Sequence, residues 1–150
     1  MKNSLRGSAV AALLCIALGC APLTAHRHQD QELANANALF QQKKYAEAAE
    51  QYRKLLTPQS ASESDAAARY SLGVLYAYHD NPHRDYNQAV EAFDDFIRRY
   101  PHHERAAEAE NWRSTIKLIQ EEAKEKDQLK KSIEQLKRLD IRHEEKRKER

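Results

Sequence analysis

The sequence predicts an all-α protein: a short solenoid of paired helices that runs into one long C-terminal helix. Three observations carry this. Only 3 Gly and 4 Pro interrupt 150 residues, and good helix formers (Ala, Glu, Lys, Gln) outweigh β-branched residues. One stretch of the chain matches another at a nearly constant offset, each reading as two helices and a turn. A third stretch, Glu104 to about Lys148, contains neither Gly nor Pro. The length suits one domain. A formal charge of +2 leaves no surplus of cations for a polyanion-binding face.

Residues 1–19 read as an export signal. Lys2 and Arg6 form a basic head, and Ala9 to Leu18 form an apolar run shorter than the roughly 20 residues a bilayer span needs. The run ends in Ala17-Leu18-Gly19-Cys20, followed by Ala21 and Pro22. Small residues there suit a signal peptidase cutting between Gly19 and Cys20; an ordinary secretory cut near Ala25 is the alternative. The pattern resembles the bacterial lipobox, which implies acylation of Cys20 and a tether over residues 20–28. Because Ala21 is not Asp, the resemblance also implies the outer membrane of a Gram-negative cell. Stable anchoring then requires more than one acyl chain. Processing leaves 23 cations against 23 anions and a single, lipid-blocked cysteine, so the mature chain holds no disulfide and no thiol chemistry.

Residues 29–119 carry the repeat. Ala36 aligns with Gly73 and Leu39 with Tyr76, then Tyr45 with Tyr86, Ala48 with Ala89, Tyr52 with Phe93 and Leu56 with Ile97. The offset changes once, so the extra residues lie within His79–Asp85. Small residues at Ala36, Gly73, Ala48 and Ala89 let paired helices approach, while the larger residues fill around them. Pro58 and Pro101 follow the second helices, which they cannot extend. A third unit starts at Arg99-Tyr100-Pro101, with His102 and His103 leading into a stripe of Ala106, Ala109, Trp112, Ile116 and Ile119. The stripe predicts a cap on the solenoid, in the register of Ala66, Arg69, Leu72 and Tyr76.

The pattern resembles the tetratricopeptide repeat, about two and a half units of it. The Tyr100-Pro101 join, followed by Ala106 and then Ala109, resembles the repeats of BamD-like and Tol–Pal-associated envelope proteins. In that fold the first helices line a concave groove, so the resemblance places Leu33, Asn37, Phe40, Tyr70, Val74, Ala77 and Tyr78 there. Such side chains suit a helix or an extended peptide, with inter-helix packing as the alternative role for Phe40, Tyr70 and Tyr78. Asn37 matches the asparagine of carboxylate-clamp repeats, but Leu33 stands where their basic partner would be, so capture of a free C-terminus is not expected.

Residues 120–150 continue the third helix as a charged tail. Leu129, Ile133, Leu136 and Leu139 keep a narrow seam of coiled-coil character, with Lys126 interrupting it toward the solenoid. Glu and Lys around it suit i,i+4 pairing. The seam fits a partner protein or a second copy. Beyond Asp140 the run RHEEKRKER has no apolar residue and is expected to fray.

No catalytic constellation, Gly-rich phosphate loop or HExxH occurs, and no cofactor is implied. His79, Asp80, His83 and Asp85 crowd the insertion, but a solvated turn built on Asn81-Pro82 accounts for them better than a metal site. The expected function is non-enzymatic: a lipoprotein adaptor on the periplasmic face of the outer membrane, with envelope proteins as partners and no nucleic acid. A self-associating spacer, or an accessory to an envelope sensor, is the alternative.

Overall fold

The computed structural model describes residues 21–57 and 62–149, with side chains from residue 27 onward. These residues form five helices: α1 (Ala21–Gln41), α2 (Tyr45–Leu55), α3 (Glu63–Ala77), α4 (Tyr86–Arg99) and α5 (Ala106–Lys148). No strand occurs among them. Each helix packs on the next, and α1 also touches α3, the order of two helix pairs followed by a first helix. The all-α solenoid with a long terminal helix is therefore the observed fold.

The turns are made by side chains placed where backbone groups lack partners. The Ser62 hydroxyl accepts from the Asp65 N–H to start α3, and the Asp85 carboxylate accepts from the Asn87 and Gln88 N–H groups to start α4. Between α1 and α2, Lys43 takes φ 61°, the left-handed conformation usual where a helix reverses. The insertion of residues 79–85 is organised by Asn81. It is buried, its amide donates to the Leu75 carbonyl at 2.9 Å, and its Oδ1 accepts from the His83 N–H at 2.9 Å. The Asp85 N–H then closes on the Tyr76 carbonyl.

The core follows the repeat. Ala36, Ala48, Ala89 and Phe93 are fully buried, and Tyr52 is 2% exposed. Gly73 shows why its position takes so small a residue. A Cβ there would lie 2.7 Å from two ring atoms of Phe93. That ring has nowhere to go, being packed edge-on against Tyr70 and stacked on Trp112. Gly73→Ala gains about 1 kcal/mol of helix propensity but overpacks the core at a cost of about 1–3 kcal/mol. The expected net is a lower urea midpoint; a midpoint at or above wild type would show that Phe93 can yield.

Several boundaries and contacts differ from expectation. Helix α1 starts at Ala21, so residues 21–28 are helical where a tether was expected; Gly19, Cys20 and Pro58 lie outside the described residues. Helix α5 starts at Ala106, after a turn in which the His103 ring accepts from the Arg105 N–H. It runs to Lys148, through the stretch expected to fray, because Glu, Lys and Arg propagate a helix already begun. The cap is narrower than the stripe: Ala109 and Ile116 are buried, whereas Trp112 and Ile119 are 39% and 38% exposed.

One buried network was not anticipated. Arg69, on the apolar stripe of α3, is 6% exposed and grips Asp65, which is fully buried. Its Nε and Nη2 donate to the two Asp65 oxygens at 2.7 and 3.0 Å. Its Nη1 pairs with Asp95 of α4. The Thr57 N–H donates to Asp65 at 2.8 Å, and the Tyr100 hydroxyl donates to it as well. The network thus joins the start of the α2–α3 turn, α3, α4 and the α4–α5 turn. Burial pushes the Asp65 carboxyl up, but Arg69, Tyr100 and Thr57 together hold it below its ordinary value. Burial and the Asp65 hydrogen bond push the Tyr100 phenol up to about 12.

Candidate functional site

The faces of α1 and α3 that point the same way enclose a shallow cavity of about 190 Å³, lined by Asn37, Phe40, Gln41, Tyr52, Tyr70, Ser71 and Val74. Helical spacing assembles it. Asn37, Phe40 and Gln41 share one face of α1, Tyr70, Ser71 and Val74 one face of α3, and Tyr52 of α2 forms the floor. The Tyr52 hydroxyl donates to Asn37 Oδ1 at 2.6 Å. That bond orients the amide and leaves its NH₂ as a donor. Burial holds the Tyr52 phenol above its ordinary value, with Ser71 working against the shift. The phenol is a neutral donor at any physiological pH.

Four of the seven groove residues read from the sequence (Asn37, Phe40, Tyr70 and Val74) meet around this cavity. The other three stand beside it. Leu33 and Ala77 pack half-buried against the core. Tyr78 closes the turn end of the groove, its ring 5.2 Å from that of Phe40 and 5.9 Å from that of Tyr45. Tyr70 also has a packing role. It is 7% exposed and lies edge-on to both Phe93 and Phe96. Burial, then the Glu108 carboxylate, pushes its phenol up to about 12.

Gln41, Tyr52 and Ser71 were missed. Gln41 follows Asn37 by four residues, so periodicity alone could have placed it; Tyr52 was legible only as core.

Two surfaces continue from this region. Beyond the cavity, Glu108, Asn111, Trp112 and Thr115 of α5 line a second depression. Farther along α5, Leu129, Ile133, Leu136 and Leu139 are 64%, 46%, 62% and 43% exposed. No other described part of the chain covers them.

The histidines of the insertion do not converge. Asp80 is held by the Lys43 ammonium at 2.9 Å and touches the His79 ring at 3.0 Å, and Lys43 holds its carboxyl below the ordinary value. Asp85 is spent on the start of α4, and His83 projects into solvent. Among the described residues, no three His, Cys, Asp or Glu side chains gather as a metal site would require. None of the described helices is long and apolar enough to cross a membrane.

Comparison with known proteins gives one finding on family. No curated protein and no solved structure matches the chain. A family model does: YfiO, described as an outer membrane lipoprotein, matches residues 27–144, which take in most of α1, all of α2, α3 and α4, and nearly all of α5. This chain, a helical solenoid with a long terminal helix, belongs to the YfiO family of outer membrane lipoproteins.

Proposed function

We propose that this lipoprotein is a non-enzymatic adaptor, anchored through Cys20 at the periplasmic face of the outer membrane, that holds a segment of another envelope protein in the α1–α3 groove. The supporting observation is the cavity itself. At about 190 Å³ it falls below the roughly 300–1,000 Å³ typical of small-molecule sites, yet it suits one or two side chains of a docked peptide. Phe40 and Val74 supply apolar contact, and the oriented Asn37 amide supplies a hydrogen bond to a peptide backbone. The exposed row of Leu129, Ile133, Leu136 and Leu139 on α5 is a second contact surface of the same protein.

A photoreactive residue placed at Gln41 or at Ser71, on the rim, tests the groove in living cells. Both are expected to capture the same envelope protein, and the adduct should disappear with Val74→Arg. The same probe at Glu47, exposed on α2 away from the cavity, is expected to capture nothing in common with them. Equal capture from Glu47, or adducts insensitive to Val74→Arg, would overturn the groove reading. The anchor has its own test. Cys20→Ser should move the protein from the membrane fraction to the soluble periplasm, and unchanged fractionation would place the attachment elsewhere.

A further inference from the structure

The exposed seam of α5 is longer than the row at its C-terminal end. Trp112, Thr115 and Ile119, then Glu122 and Lys126, then Leu129, Ile133 and Leu136 follow one another at alternating steps of three and four along one helix. All eight are exposed, and this is the repeat of a two-stranded coiled coil. Two blocks, apolar but for Thr115, therefore lie on one face, separated by one acid and one base.

We infer that the occupant of this seam is a second copy of the chain, running antiparallel, with the dyad between Glu122 and Lys126. In that arrangement Trp112 meets Leu136 of the second copy, Thr115 meets Ile133, and Ile119 meets Leu129. Glu122 then meets Lys126, and the dyad repeats every layer. Both apolar blocks are covered, and the two charges at the centre neutralise each other twice.

Charge and register exclude the other pairings. In a parallel pair, Glu122 would face Glu122 and Lys126 would face Lys126. An antiparallel pair shifted by one heptad either way sets Glu122 or Lys126 against an apolar residue, which strips a charge of water and loses both cross-chain ion pairs. Leu118 and Leu139, 56% and 43% exposed, both lie on the same flank of the seam and widen the apolar strip.

The same layers could form within one chain only if α5 broke at its middle and folded back. Residues 121–127, Glu-Glu-Ala-Lys-Glu-Lys-Asp, hold no Gly or Pro and favour an unbroken helix. A second chain meets the need instead, as in a domain swap. The matched stretch from Trp112 to Leu136 is about 36 Å long at 1.5 Å per residue.

The interface uses α5 alone, so it stands or falls apart from the groove, which the Gln41 and Ser71 adducts test. The experiment uses the full chain carrying Cys15→Ser and Cys20→Ser, with Ile119→Cys and Leu129→Cys introduced singly and together. Under mild oxidation, a mixture of the two single variants is expected to give a disulfide-linked dimer, and neither variant alone should. Self-crosslinking of each single variant would show a parallel pair and overturn the inference. Closure of the double variant within one monomeric chain would show a hairpin and do the same. So would a monomeric mass at all protein concentrations.

A charge exchange provides the second arm. Glu122→Lys alone should weaken the dimer about tenfold, since it turns two attractive pairs into repulsive ones. Adding Lys126→Glu to the same chain should restore it. Helix content by circular dichroism should be unchanged in both variants. Failure of the exchange to restore association would overturn the register.

Discussion

Arg69→Met is expected to cost about 3–5 kcal/mol, because it removes one partner of a buried ion pair and leaves the other charge uncompensated. Asp65 is fully buried and takes two hydrogen bonds from Arg69. Methionine fills the space and returns neither. For a small domain whose total stability is of order 5–15 kcal/mol, that is a large share. The urea midpoint should fall accordingly, and a midpoint near wild type would show that Tyr100 and Thr57 suffice to hold the carboxylate.

The pH profile separates lost charge compensation from lost packing. In the wild type the Asp65 and Asp95 carboxyls are held below their ordinary values. Their contribution is then fully present above about pH 4, near the unfolded value, and is lost as pH falls through the folded one. In Arg69→Met, burial is opposed only by Tyr100 and Thr57, so the folded value of Asp65 is expected to rise instead. The penalty in the variant should therefore shrink as the medium is acidified toward pH 4, the opposite slope from wild type. A penalty independent of pH would assign the loss to packing.

The second large effect concerns the close helix contacts. Ala48 and Ala89 occupy the same place in successive repeats, and both are fully buried. Ala89→Trp forces a ring into a site with no free volume, beside Phe93 and Phe96, which are fully buried as well. Overpacking of this kind costs about 1–3 kcal/mol, and more where the neighbours cannot move. Thermal melts of Ala89→Trp and Ala48→Trp should both shift down. If either melts like wild type, the pairing of the two repeats is misaligned.

Much of the fold was legible because helical repeats are local. Steps of three and four residues decide which side chains share a face, and the small residues Ala36, Gly73, Ala48 and Ala89 announce where helices approach. The ends of elements were harder to read. Nothing in the composition of residues 21–28 distinguishes a tether from a first helical turn, and the start of α5 depends on His103 and Arg105 in a turn.

The groove was partly legible for the same reason. Periodicity placed Asn37, Phe40, Tyr70 and Val74 on faces that meet. It could not tell how deeply each would sink. Tyr70 is almost wholly buried because Phe93 and Phe96 of the following helix close over it, and those rings come from more than twenty residues away. Nor could it pair Tyr52 with Asn37, a contact between two helices.

Arg69 shows the limit most directly. On its stripe it read as one more core position, and a buried guanidinium requires carboxylates. Asp65, one helical turn back, was available to a sequence argument. Asp95 and Tyr100 were not, because they reach Arg69 and Asp65 only once α4 packs on α3.

The sequence by itself determined what depends on neighbours along the chain: the all-α class, the helix pairs and their register, the unbroken terminal helix, and the seam it carries. The tertiary structure alone decided what depends on neighbours across it. That includes which aromatic rings are core and which line a cavity, which carboxylates answer Arg69, and which apolar residues of α5 remain uncovered. Short-range periodicity follows from backbone geometry, whereas burial is a property of the assembled solenoid, in which each helix is covered only by the ones packed against it.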